Sequence, residues 1–195
     1  KELIRMGPRG DGGYLLPNDL AGIEALFSPG VNEVSGFELA CANLGMKVFL
    51  ADKSVDRPPD SHPLFHFTKK FVGVTTDDGF MTMDDWVADS LPRTTSDPLL
   101  QTDIEGVEYQ PFLGIGSRTF DKILQTHACV HIHPNNCCRL VSRGGLSIPR
   151  VAEFSFLRRD RITRAVPATR FPHPLDCDNH ANPSLPLPAC WYRPA

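Results

Sequence analysis

No stretch of this chain approaches the roughly 20 consecutive apolar residues that a bilayer-crossing helix needs, so no membrane partner is expected. Nor does an apolar run of signal-peptide type follow the opening Lys1–Arg5, and a cytoplasmic location is the expectation. There is no C-x-x-C. The six cysteines are Cys41, Cys129, the adjacent pair Cys137 and Cys138, and Cys177 and Cys190. That scatter argues against a disulfide framework and for reduced thiols. A G-x-G-x-x-G turn is missing too, which removes the usual pyrophosphate cradle and counts against a nicotinamide oxidoreductase. Excess positive charge is also lacking. The formal net charge is −3, so no general pull towards nucleic acid exists. The one basic run, Arg158-Arg159-Asp160-Arg161, reads as a solvated strand edge.

What is present fits an α/β domain. A chain of 195 residues with 41% hydrophobic and 22% charged residues can bury one sizeable core. Residues 23–52 read as strand, loop, helix, strand. Ile23–Phe27 is a short apolar run ended by Ser28-Pro29-Gly30. Phe37, Ala40, Cys41 and Leu44 recur at helical spacing before Gly45, and Met46–Ala51 is the next strand. This is the size of a βαβ unit. Further strands are expected over Leu64–Phe67, Phe71–Val74, Leu99–Gly106, His127–His133 and Val151–Leu157. Helices are expected after Met83, with an aspartate cap, and over Phe120–Leu124. The reading places one domain over 1–166, with residues 1–22 as a lead-in. Residues 167–195 form a proline-rich tail whose Phe171, Leu185, Leu187, Trp191 and Tyr192 suit packing on the domain.

In open parallel sheets ligands bind beyond the carboxyl ends of the strands. That rule selects Ser28 and Gly30, Asp52, Asp103 with Glu105, and Asn135 with Asn136. A carboxylate at the position of Asp52 can accept hydrogen bonds from both hydroxyls of a ribose, or can serve as a cap. Asp103 and Glu105 are two apart and share a face if the strand continues; they can divide acid and base roles, share a cation, or cap a helix. Period-two alternation puts His127, Cys129, His131 and His133 on one face. His131 and His133 are candidate general bases, and with Cys137 or Cys138 they form a weaker zinc pattern, so no metal is expected. Asp11-Gly12-Gly13-Tyr14 is either a tight turn or a close backbone approach to a ligand, which makes Asp11 and Tyr14 candidate substrate contacts beside Asn135 and Asn136.

Taken together, four passages resemble the FkbM-type S-adenosylmethionine-dependent methyltransferases. They are Asp11–Tyr14, the block from Ser28-Pro29-Gly30 to Phe37-Glu38, Leu99–Glu108 with its Asp-Ile-Glu-Gly, and His131–Asn136 with Val151–Asp160. The resemblance implies a Rossmann-like class I methyltransferase sheet, mostly parallel with an antiparallel last strand at Val151–Leu157, and helices on both faces. It implies S-adenosylmethionine as cofactor, held by Ser28, Gly30, Glu38, Asp52 and Asp103. It further implies O-methylation of a hydroxyl on a sugar, glycan or related small metabolite. Two departures stand out. The first glycine-rich motif is reduced to Ser28-Pro29-Gly30-Val31-Asn32, and only Gln110–Arg118 lies where the family has a further strand. The second motivates an alternative reading as a non-catalytic nucleoside-binding domain of the same fold.

Overall fold

The computed structural model describes residues 1–31, 33–91, 97–103 and 118–192. In chain order the elements are β1 (Leu3–Met6), β2 (Tyr14–Pro17), β3 (Ala25–Pro29), α1 (Gly36–Asn43), β4 (Lys47–Ala51), β5 (Phe65–Thr68), β6 (Phe71–Gly73) and β7 (Phe80–Thr82). There follow α2 (Met83–Ser90), β8 (Leu99–Leu100), α3 (Arg118–Thr126), β9 (His127–Pro134), β10 (Leu140–Arg143), β11 (Leu146–Pro149) and β12 (Ala152–Arg158). The chain divides into two compact units, one made of Asp19–Lys122, the other of Lys1–Asn18 with Ile123–Ala195.

The Asp19–Lys122 unit is α/β. Four strands lie in the order β5-β4-β3-β8, and every neighbouring pair is parallel. Parallel pairing requires crossovers that cover the faces, so its inner strands read as continuous apolar runs. Every residue of β3 is buried, as are Val48–Ala51 of β4. One face carries Ala25, Phe27, Phe49 and Ala51, which pack with Val72, Met81 and Trp86. There Phe27 stacks on Phe49 and meets Trp86 edge-on. On α1, Phe37, Glu38, Cys41 and Ala42 form the buried stripe. The helix stops in a Schellman arrangement, with Gly45 at φ 92° and the amides of Gly45 and Met46 returning to Ala42 and Cys41. Leu44, expected on the core face, is exposed because it is the C-cap, past the last full turn.

Two further sequence expectations need correction. The cap of α2 is Thr82, whose Oγ1 accepts from the Asp85 amide, and not an aspartate. Of the strand expected over Leu99–Gly106, β8 is the regular part among the described residues 99–103, and beyond it the Gln101 amide still donates to Phe27 O. Residues 104–106 and most of the Gln110–Arg118 departure lie outside the described residues.

In the other unit, β1 and β2 form an antiparallel hairpin, as do β10 and β11, while β12 pairs antiparallel with β9. The hairpin β1–β2 was not anticipated. Its loop contains Gly7, Gly10 and Gly12, all at positive φ, and Arg5 reaches across it to Pro8 O and Gly10 O. A Cβ on Gly13 would lie 2.0 Å from Pro8 O, so only glycine fits there. The β9–β12 register slips between Ser155 and Phe156, leaving Val130 as an extra residue opposite no single partner. Such a bulge breaks the two-residue alternation. His131 and His133 therefore face the interior while Cys129 is exposed, instead of all sharing one face.

Trp86→Ala removes the ring that closes the Phe27–Phe49 stack and is expected to cost about 3–5 kcal/mol. Thr82→Ala, which loses only a cap, should cost about 1 kcal/mol. Urea unfolding followed by circular dichroism checks both; equal costs would contradict this packing.

Candidate functional site

The residues singled out from sequence fall into two groups, one in each unit. In the Asp19–Lys122 unit all four strands are parallel, so their carboxyl ends share one edge. Ser28 and Gly30 sit where β3 ends, Asp52 follows β4, and Asp103 follows β8. The first turn of α1 brings Glu38 to the same edge. Its carboxyl is 4% exposed and lies 2.5 Å from Ser28 Oγ, which is also 2.9 Å from Gln101 Oε1. Burial raises the Glu38 pKa; the Ser28 bond opposes this, and the nearby charges of Asp103 and Asp60 push it further up. Asp60 is held by Ser35, whose hydroxyl donates to Oδ2 at 2.8 Å and leaves α1 without a side-chain cap. Asp52 is 5% exposed, and its Oδ1 accepts from both the amide and the hydroxyl of Ser54. Gly30, at φ 86°, donates its amide to Ala51 O and so fixes the turn beyond β3. The edge is thus acidic, with an ordered carboxylate at the end of the second strand. Glu105 lies outside the described residues.

An open groove of about 360 Å³ in this unit, lined by Lys47, Phe49, His66, Phe67, Thr68, Asp89 and Ser90, contains none of these residues.

The second group is organised by the tail. Asp176 accepts from His131 Nε2 at 2.9 Å, lies 3.6 Å from His133 Nδ1, and takes the His173 amide on its other oxygen. Both rings and the carboxylate are nearly enclosed. Neither ring nitrogen of His133 has a hydrogen-bond partner within standard geometry. Asn136 is 2% exposed, donates to His180 O and Asn182 O, and accepts from the His180 amide. Asn135 holds the Cys137 amide in a turn. Asn179 bridges from Glu153 at 2.7 Å to Asp11 at 3.4 Å. Tyr14 lies in β2 opposite Met6. His131, His133 and Asn136 are therefore the points at which residues 173–182 attach. Sequence reasoning missed Asp176 and Asn179. The signal was the polar run Asp176, Asp178, Asn179, His180 and Asn182 inside an otherwise proline-rich, apolar tail.

Among the described residues no group of three or more His, Cys, Asp or Glu side chains could hold a metal ion. No helix there is long and apolar enough to cross a membrane. Comparison of the chain with family models, with curated proteins and with solved structures finds no match.

The tail contact is pH-dependent. Burial opposes ionisation of Asp176, but the bond from His131, the adjacent His133 and the His173 amide outweigh it and hold its pKa well below the usual carboxylate range. Burial likewise opposes protonation of His133, but Asp176, the charge of Glu153 and Asn179 outweigh it and raise its pKa. The depressed acid stabilises the docked tail above pH ~3.9, and that contribution fades as pH falls further. The raised imidazole stabilises it below pH ~6.5, and that contribution fades as pH rises through its folded value. Amide exchange over residues 173–182 should accordingly be slowest near pH 4–6.5, after correction for intrinsic rates. Asp176→Ala should speed it above pH ~3.9, costing about 1–3 kcal/mol, with less effect as pH falls further; a pH-independent tail in the unsubstituted protein would contradict this.

Proposed function

We propose that the chain binds S-adenosylmethionine at the acidic carboxyl edge of its parallel sheet and serves methyl transfer. The observation that carries the reading is the buried, Ser54-oriented carboxylate of Asp52 at the end of β4, beside the β3 turn at Ser28–Gly30. Beyond that edge a ribose diol finds its acceptor in Asp52. The positive φ of Gly30 lets backbone approach a ligand closely. Asp103, whose charge is felt at the neighbouring Glu38, supplies negative potential that complements the sulfonium and ammonium of such a cofactor. When bound, the cofactor supplies an electrophilic methyl group. The chain's own part is to orient it and to take up the proton of the acceptor hydroxyl. The order β5-β4-β3-β8 matches half of a doubly wound Rossmann-like sheet and supports the same class of ligand. The acceptor, a hydroxyl on a sugar, glycan or related small metabolite, follows from the resemblance in sequence.

A second reading, nucleoside binding without transfer, is favoured by one observation. His131 and His133, the candidate bases, are enclosed in their own unit and engaged with Asp176.

Calorimetric titration with S-adenosylhomocysteine tests the cofactor class. Binding is expected, weakened about 100-fold or more by Asp52→Ala, the scale of losing a charged hydrogen-bond acceptor. No binding to the folded protein would remove both readings. Binding with no methyl transfer across hydroxyl acceptors would leave only the second.

A further inference from the structure

The turn after β9 places two thiols side by side. Cys137 is exposed and Cys138 partly so, neither is in a disulfide, and their sulfurs are 3.3 Å apart. The turn is fastened on its N-terminal side. Asn135 Oδ1 holds the Cys137 amide at 2.9 Å, and the Asn136 side chain and carbonyl make four hydrogen bonds to His180 and Asn182. Two sulfurs already in contact on an anchored turn lose little further freedom when one atom bridges them. Among the described residues no other cysteine pair shows a sulfur–sulfur contact. Cys41 is buried, and burial pushes its thiol up to about 12, which leaves it inert.

The spacing also selects the ligand. Two bonds of ~2.3 Å to sulfurs 3.3 Å apart enclose an angle of about 90°. A tetrahedral zinc ion would hold its sulfurs ~3.8 Å apart. Trivalent arsenic bonds in a pyramid with angles near a right angle, and it is soft enough to prefer thiolate over oxygen or imidazole. We propose that Cys137 and Cys138 form a vicinal dithiol site that captures trivalent arsenicals. With an arsine oxide the balance is simple. Two As–S bonds form, the As–O double bond breaks, and the two thiol protons leave with the oxygen as water. Arsenic stays trivalent, so no oxidant or reductant is needed.

The test treats the whole chain with one equivalent of phenylarsine oxide, then excess 2-mercaptoethanol, and reads the intact mass. One adduct that resists the monothiol but is released by 2,3-dimercaptopropanol is expected. Cys137→Ser and Cys138→Ser should each weaken capture about 100-fold or more, because the second thiol acts at a high effective concentration. Cys177→Ser and Cys190→Ser should leave it unchanged. The single substitutions lie on an exposed turn, and circular dichroism verifies that each variant is folded. Absence of a monothiol-resistant adduct, or its persistence in either single variant, would overturn the proposal.

Discussion

The candidate cofactor edge depends on one buried contact, that between Glu38 and Ser28. It ties the first turn of α1 to the end of β3, and through Ser28 it reaches Gln101 beside β8. A carboxyl taken out of water must keep a hydrogen-bond partner, or the whole cost of its desolvation falls on the fold. Ser28 has one hydroxyl proton and two acceptor oxygens within reach. Burial, with the charges of Asp103 and Asp60, raises the Glu38 pKa against the opposing Ser28 bond. The Ser28 hydroxyl thus links three elements at the edge where the parallel strands end.

Much of this unit could be read from residues because its signals are local or periodic. Phe37 and Cys41 at helical spacing, Gly45 as a stop, and the apolar run Val48–Ala51 ending on Asp52 all follow from period and turn chemistry. A sheet buried on both faces leaves a strong apolar signature, and β3 and β4 carry it. Glu38 is different. Nothing in spacing distinguishes a buried acid from a solvated one in a first helical turn. Its partner Ser28 in turn reaches Gln101, 73 residues further along the chain.

The other unit was less legible for a physical reason. Its contacts are formed at long range between a strand and an irregular tail, and proline-rich segments have no periodicity to read. Alternation correctly paired His131 with His133, but it could not foresee the Val130 bulge that separates them from Cys129. The asparagines at the end of β9 looked like ligand groups. Their amides hold the tail and the Cys137 turn. Polar residues read as chemistry can equally be the means by which a chain without regular structure satisfies its buried amides and carbonyls.

That the acidic carboxyl edge of the parallel sheet is a nucleoside site is tested most directly by mapping amide chemical shifts as S-adenosylhomocysteine is added. The account predicts perturbations concentrated at residues 28–31, 51–54 and 101–103, where the ends of β3, β4 and β8 meet the ligand. Shifts confined to the groove beside Lys47 and His66, or to the unit that carries His131, would contradict it.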